Sequence, residues 1–318
     1  MRRAVVTGGA GFIGSHVDEA LKRADYQVLV IDDLSTGSRT NVPTGVEFAR
    51  LDIRDGDALK GRMCGFGPQL VVHLAAAANV AASALDPAAD VSTNVLGTVA
   101  VMQAAAVAGC EKVVFTSSST VYGNPARQPV RETDPLRPIS PYGVSKLAAE
   151  HFVRVLSDMH GMRYTILRFG NVFGPRDSVH SRHVITSFVA ALLDGQRPVI
   201  EWDGKQSKDY VYVVDVAAAV VAAADRGDNE VFNVATGSEF TVLELLELVR
   251  QTLDADIAPV YAARRPGDVR RFLMDVSKAH HGLGWWPRTS FVDGLETTVE
   301  SMLHDRAMHE APAGALAG

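Results

Sequence analysis

The sequence predicts an α/β fold, a doubly wound parallel sheet followed by a smaller C-terminal α/β domain. Three observations carry that expectation. Short runs dense in Val, Ile and Leu recur through the first half, without the apolar–polar alternation of a sheet that faces water. Amphipathic stretches of helical period lie between them, which calls for parallel strands joined by crossover helices. A glycine-rich turn follows the first apolar run directly.

In chain order, residues 4–7, 28–31, 70–74, 113–116 and 164–168 are the expected strands. Ile13, Val17, Ala20, Leu21 and Ala24 share one helical face and mark a helix over 12–24. Longer helices are expected over 91–108 and 141–160. After Gly174 the rhythm changes. Residues 175–182 are polar and irregular, 184–193 are helical, 209–214 form a short strand, and 240–253 form a helix opened by Thr241. Asp215, ahead of the apolar stretch 216–224, reads as a helix N-cap. The expected domains are 1–174 and 175–306, with some later segments returning to the first, and a disordered Ala/Gly-rich tail over 307–318.

Composition excludes several classes. The 318 residues carry 31 Lys+Arg against 37 Asp+Glu, a net charge of −6, which is not the basic balance of a nucleic-acid binder. Hydrophobic residues make up 47% and charged residues 21%, enough apolar material for a sizeable core. Two cysteines, Cys64 and Cys110, build neither a disulfide framework nor a Cys-rich zinc site, so a reducing, cytoplasmic setting is expected. No apolar run reaches membrane-spanning length, and residues 1–7 run straight into a strand pattern rather than a leader peptide.

The glycine turn reads Thr7-Gly8-Gly9-Ala10-Gly11-Phe12-Ile13-Gly14. Glycines at this spacing, between a strand and a helix, let backbone N–H groups approach a pyrophosphate at the helix N-terminus. Asp32 ends the next strand, 18 residues past Gly14, where an acid accepts ribose hydroxyls and repels a 2′-phosphate. The expected cofactor is NAD. Asp52-Ile53, after a further strand end, stands where it could meet the adenine edge, although a solvated loop Asp reads the same way.

Tyr142 and Lys146 lie one turn apart on the helix that Pro141 opens. A cation beside a phenol favours phenolate, which turns Tyr into a general base near neutral pH. The hydroxyl run Thr116-Ser117-Ser118-Ser119-Thr120 ends a strand on the side where α/β folds bind ligands.

With these motifs in one order, the chain resembles the extended short-chain dehydrogenase/reductase family, and within it the nucleotide-sugar 4-epimerases. The matching pieces also include Asp32-Asp33-Leu34-Ser35-Thr36-Gly37, His73-Leu74-Ala75-Ala76, Asn94, residues 117–123, residues 168–175 and Arg265-Pro266-Gly267-Asp268. The resemblance implies a Rossmann-like NAD domain. Gly8, Gly11, Phe12, Ile13 and Gly14 would cradle the pyrophosphate, with Asp32, Asp33, Ser35, Thr36, Gly37, Asp52 and Ile53 around the adenosine half. Leu74, Ala75, Ala76 and Asn94 would line the cofactor further along, and Lys146 would bond its ribose. Tyr142 would be the base and Ser118, with Ser119, would meet the sugar. Asn171 and Lys208 would hold the substrate near its diphosphate, and Arg265 and Asp268 would grip the diphosphate and the uridine ribose, although Pro266-Gly267 alone also predicts an ordinary turn.

The implied reaction interconverts UDP-glucose and UDP-galactose through a 4-keto sugar, with NAD catalytic rather than consumed and with no metal. UDP-glucuronate and UDP-N-acetylhexosamines are the alternative substrates; Arg176, His180 and Arg182 could meet a carboxylate. A 4,6-dehydratase is disfavoured because Ser119 and Thr120 stand where those relatives carry an Asp-Glu pair, and a noncatalytic sensor because Ser118, Tyr142 and Lys146 occur together. Phe272 aligns with a bulky gate of glucose/galactose enzymes, or is simply a core Phe. Departures from the pattern are Ala77, Lys208 in place of Arg, and the unfamiliar segment 177–183, in which no carboxylate at metal-ligand spacing accompanies His180 and His183. The helices at 91–108 and 141–160, with Ala100, Ala104, Ala105, Ala148 and Ala149, match the pair through which the family dimerises.

Overall fold

The computed structural model describes residues 1–264 and 268–310. Strands β1 (Arg2–Thr7), β2 (Tyr26–Asp32), β3 (Glu47–Arg50), β4 (Leu70–His73), β5 (Lys112–Ser118) and β6 (Arg163–Phe169) alternate with α1 (Phe12–Arg23), α2 (Gly56–Phe66), α3 (Val80–Leu85), α4 (Pro87–Val91), α5 (Thr98–Val107) and α6 (Pro141–His160). The second half adds β7 (Asn171–Phe173), α7 (Val184–Leu193), β8 (Val199–Glu201), β9 (Ser207–Tyr212), α8 (Val213–Asp225), β10 (Glu230–Val234), β11 (Glu239–Thr241), α9 (Val242–Leu253), β12 (Val260–Ala262), β13 (Arg271–Phe272), α10 (Ser277–Leu283) and α11 (Phe291–Glu310).

Seven strands form one sheet in the order β10-β6-β5-β4-β1-β2-β3, and every pairing in it is parallel. The β-branched runs explain it: Val5, Val6, Val30, Ile31, Val71, Val72, Val113 and Val114 are buried on both faces of the sheet. The strand order reverses between β1 and β4, the switch point at which such sheets open a ligand crevice at their C-terminal edge. A four-stranded sheet of β11, β9, β13 and β7, and the parallel pair β12–β8, form the remaining layers.

Several expectations are corrected. The helix expected over 91–108 is broken: Ser92–Gly97 forms a π-helical turn between α4 and α5. The strand expected over 209–214 runs Ser207–Tyr212, because Val213 already starts α8. Asp215 is no N-cap; it lies in the first turn of α8, where its carboxylate accepts the Thr289 N–H at 3.0 Å. Helix α11 continues through Ala307 to Glu310 where a tail was expected, and residues 311–318 lie outside the described residues.

Candidate active site

The glycine turn joins β1 to α1 with close backbone approaches. A Cβ on Gly14 would stand 2.1 Å from the Gly8 carbonyl oxygen, one on Gly8 2.6 Å from the Ala75 nitrogen, and one on Gly37 2.7 Å from the Ala10 carbonyl. Gly8 also holds φ +75°, a conformation that suits glycine. Gly11 caps α1 without a side-chain acceptor, so the first-turn N–H groups and the positive end of the helix dipole are left to a ligand. Such a cradle fits a dinucleotide pyrophosphate.

Asp32 closes the turn. One carboxylate oxygen accepts the Ala10 N–H at 3.0 Å and the other the Leu34 N–H at 2.8 Å. Each oxygen keeps a lone pair for a ribose hydroxyl; burial raises its pKa and the two N–H bonds oppose that. Asp33 accepts the Ser35 N–H at 2.8 Å, and Ser35 and Thr36 are exposed beside it. Asp52 is held by Arg54 at 2.9 Å, while Ile53 is buried against Gly97. At the neighbouring β4 terminus, Leu74 donates its N–H to the Thr7 carbonyl at 3.0 Å, and Ala75 and Ala76 follow half-buried.

Asn94 shows why the π turn is there. Its carbonyl accepts the Ala77 N–H at 2.8 Å, and its amide donates to the Ala77 carbonyl at 3.2 Å, to Ser145 Oγ at 3.1 Å and to Asp90 at 3.0 Å. The widened turn thus ties the strand-end loop to α6. Ala77 contributes backbone to this tie, which its missing side chain does not weaken.

Helix α6 starts where it does because Ser140 Oγ accepts the Gly143 N–H at 3.1 Å and Pro141 occupies the first position. The Tyr142 N–H is held by Ser83 Oγ at 3.1 Å. Tyr142 and Lys146 are both buried, with the Lys146 Nζ 4.6 Å from the centre of the Phe115 ring and, among the described residues, in no ion pair. Burial pushes the Tyr142 phenol up to about 12, opposed by a hydrogen bond with Ser118, and pushes Lys146 down to about 8, opposed by Glu150 and Asp90. Ser118 Oγ also accepts from Thr120 Oγ1 at 3.0 Å, and Ser119 stands half-buried beside it. Tyr142, Lys146, Ser118 and Asn94 therefore converge at the C-terminal edge of the sheet.

The other predicted residues gather on the smaller sheets. Asn171 donates to the Asp209 carbonyl at 3.2 Å. Lys208 donates to the Val269 carbonyl at 3.3 Å, and burial lowers its pKa against the raising effect of Asp268. Arg265 lies outside the described residues. Phe272 is buried with its ring 6.2 Å from that of Tyr122, in a core that also holds Val121 and Met274.

Three groups went unnoticed in the sequence. Arg168 is fully buried and grips Glu150, one turn beyond Lys146, at 2.9 and 2.7 Å; an arginine ending an apolar strand gave no hint of its partner. Asp18 is buried under Gly9, with neither oxygen hydrogen-bonded among the described residues. In the unfamiliar segment, a carboxylate does accompany His183: Asp177 accepts from it at 3.0 Å and from Thr186 at 2.6 Å.

Comparison with known proteins agrees with this geometry. The sequence profile of the NAD dependent epimerase/dehydratase family matches residues 4–235. The UDP-glucose 4-epimerase of Mycolicibacterium smegmatis is 38% identical over 306 residues, covering 94% of this chain and 97% of that protein. The solved UDP-glucose 4-epimerase of Thermotoga maritima, with UDP-glucose, superimposes with a TM-score of 0.94 at 38% identity, covering 96% of this chain and 99% of the other. That of Thermus thermophilus, in complex with NAD, gives 0.90 at 38% identity, covering 95% and 99%. The chain belongs to the NAD-dependent epimerase/dehydratase family, in its epimerase branch, and takes NAD as its cofactor.

Proposed function

We propose that this chain is a nucleotide-sugar 4-epimerase that interconverts UDP-glucose and UDP-galactose. The observation that carries the reading is the convergence of buried Tyr142 and Lys146 with Ser118 beside the dinucleotide cradle, with only hydroxyls at Ser119 and Thr120. NAD supplies the hydride acceptor and donor for carbon 4. Tyr142 takes the proton of the 4-hydroxyl and returns it to the 4-oxygen once hydride has come back to the opposite face of carbon 4; Ser118 holds the 4-oxygen in both orientations; Lys146 favours phenolate. Elimination of the 6-hydroxyl would need an acid and a base, which Ser119 and Thr120 do not supply near neutral pH. Asn171, Lys208, Arg265 and Asp268 are the proposed nucleotide contacts. Phe272 packs in a core with Val121, Tyr122 and Met274, as the core-residue alternative has it, so it carries no choice between sugars.

Incubation of the purified protein, without added cofactor, with UDP-galactose, UDP-N-acetylgalactosamine and UDP-glucuronate in turn tests the reading. A new chromatographic peak of unchanged mass from UDP-galactose is expected. Loss of water or carbon dioxide would overturn the epimerase assignment, and epimerisation of another sugar alone would overturn the substrate.

We also propose a homodimer. Ala104, Ala105 and Ala149 are buried in the chain's own core, so they do not form a dimer face. Val144, Phe152, Val155 and Met159 on α6 and Leu96 and Val107 around α5 are exposed instead, an apolar surface that a second copy would cover. Phe152→Asp is expected to halve the mass seen by light scattering; an unchanged mass would place the interface elsewhere.

A further inference from the structure

Trp202, the residue after β8, holds φ +64°. That left-handed conformation is costly for a bulky side chain and is met without strain by glycine, so an aromatic residue there signals a ring with work of its own. The indole is shared by two arginines from one later segment. The Arg264 guanidinium carbon lies 4.4 Å from the ring centre and that of Arg270 lies 4.7 Å from it. Both arginines are fixed further: Arg270 donates to Asp203, the residue after Trp202, at 2.7 Å, and Arg264 donates to the Asp268 carbonyl at 2.7 Å. The backbone N–H of Trp202 donates to the Ala262 carbonyl at 3.0 Å, so ring and backbone hold the same connection. Within this grip lie Asp268 and Val269, and Lys208 reaches the Val269 carbonyl at 3.3 Å.

We propose that Trp202 is a positioning residue for substrate binding: its indole holds Arg264 and Arg270, and through them it fixes Asp268 relative to Lys208. The proposal rests on the nucleotide-sugar reading given above. The clamp lies at the β8–β12 pair, whereas Tyr142 and Lys146 sit on α6. It governs how well the substrate is held and leaves the hydride chemistry alone.

Three variants test it: Trp202→Ala removes the ring, Trp202→Gly removes the ring and also relieves the backbone, and Trp202→Phe keeps a ring for the guanidinium groups. Loss of two exposed cation–ring stacks predicts a KM for UDP-galactose raised about tenfold in the Ala and Gly variants. Their kcat is expected to stay within about twofold of wild type, because the transition-state contacts are untouched. Trp202→Phe is expected to restore most of the affinity. Trp202→Gly separates the clamp from stability, because its melting temperature should not fall below that of Trp202→Ala while its KM rises with it. An unchanged KM in the Gly and Ala variants, or a kcat that falls while KM holds, overturns the proposal. Limited trypsin digestion reads the clamp without turnover: faster cleavage after Arg264 and Arg270 in the Gly variant supports it, and an equal rate overturns it. If the wild type turns over no nucleotide sugar, the nucleotide-sugar reading falls, and the digestion alone decides the clamp.

Discussion

The Arg168–Glu150 pair offers the most demanding test of how the active-site helix is held. Both side chains are 1% exposed, and Arg168 binds Glu150 through Nε at 2.9 Å and through Nη2 at 2.7 Å. Ser117 adds a 2.6 Å bond to the same carboxylate, and the remaining Arg168 nitrogen reaches the Tyr122 hydroxyl at 3.0 Å. Arg168→Met fills the space of the arginine stem but leaves Glu150 a buried anion whose remaining ion pair is with Arg154 Nη2 at 3.9 Å, with Lys146 a turn away. Breaking a buried pair from one side costs about 3–5 kcal/mol, a large part of the roughly 5–15 kcal/mol by which domains are stable. Glu150→Leu in the Arg168→Met background removes the orphaned charge and restores most of that loss, less about 1–3 kcal/mol for each buried hydroxyl left unpaired. Urea unfolding of the wild type, both single variants and the double variant measures the coupling, expected to be about 2 kcal/mol or more. A coupling near zero, or an Arg168→Met chain as stable as wild type, would refute this account of the core. The double variant also carries a functional signature. Glu150 raises the Lys146 pKa, so its removal lowers that pKa further and brings the alkaline loss of activity to lower pH.

Three further outcomes follow from single sites. Tyr142→Phe is expected to lose about 10²–10⁴ of kcat while retaining bound cofactor, read by turnover and by absorbance after denaturation. Gly14→Ala drives a methyl to 2.1 Å from the Gly8 carbonyl; the protein should purify without NAD and melt at lower temperature, and a cofactor-loaded variant would contradict the cradle. Asp18→Val should stabilise the chain by about 1–3 kcal/mol by removing a buried acid whose oxygens have no hydrogen-bond partner among the described residues. Burial raises the Asp18 pKa well above its ordinary value, so the fold binds that proton more tightly than the unfolded chain does. Its contribution is complete below pH about 4 and is lost as pH rises toward the folded pKa. The gap between variant and wild type should therefore widen from pH 4 to 7 in denaturation series, and a gap that narrows would refute the burial argument.

What the sequence disclosed was what periodicity and punctuation encode. The Val/Ile runs announced the parallel strands, and Pro141 announced the start of α6 and hence the placing of Tyr142 and Lys146. Helix α2 went unread because its buried stripe is only Leu59, Met63 and Phe66 and two exposed glycines, Gly61 and Gly65, lower its helix propensity, although Asp55 caps it by accepting the Ala58 N–H at 3.0 Å. The buried face of α6 carries Lys146 and Glu150, which an apolar stripe does not anticipate; only a three-dimensional partner such as Arg168 makes them legible. The π turn at Asn94 is likewise a tertiary effect, since its four side-chain bonds reach Ala77, Asp90 and Ser145. Asp177 and His183 lie six residues apart in a segment without period, so their pairing emerges only from the fold.

Burial has set Tyr142 and Lys146 in directions opposed to base catalysis, with a phenol at about 12 and an ammonium at about 8. Bringing the phenol from about 12 to about 7 requires roughly 7 kcal/mol of preference for the anion, at 1.36 kcal/mol per pH unit. One unit charge at about 4–6 Å contributes about 3–4 kcal/mol at an effective dielectric of 20. On the proposed reading a single cation such as Lys146 would fall short of that, and a second positive charge beside the phenol would supply the rest. The oxidised nicotinamide is such a charge, and its reduced form is not. On the proposed epimerase reading, Tyr142 would serve as a base while the cofactor is oxidised and as an acid once the sugar is a ketone. Lys146→Met should then move the acid limb of kcat/KM upward by about two to three pH units, because the remaining cation must do the work of two. A limb at the wild-type position in that variant would show that Lys146 only orients the ribose, and that the charge lowering the phenol pKa comes from elsewhere.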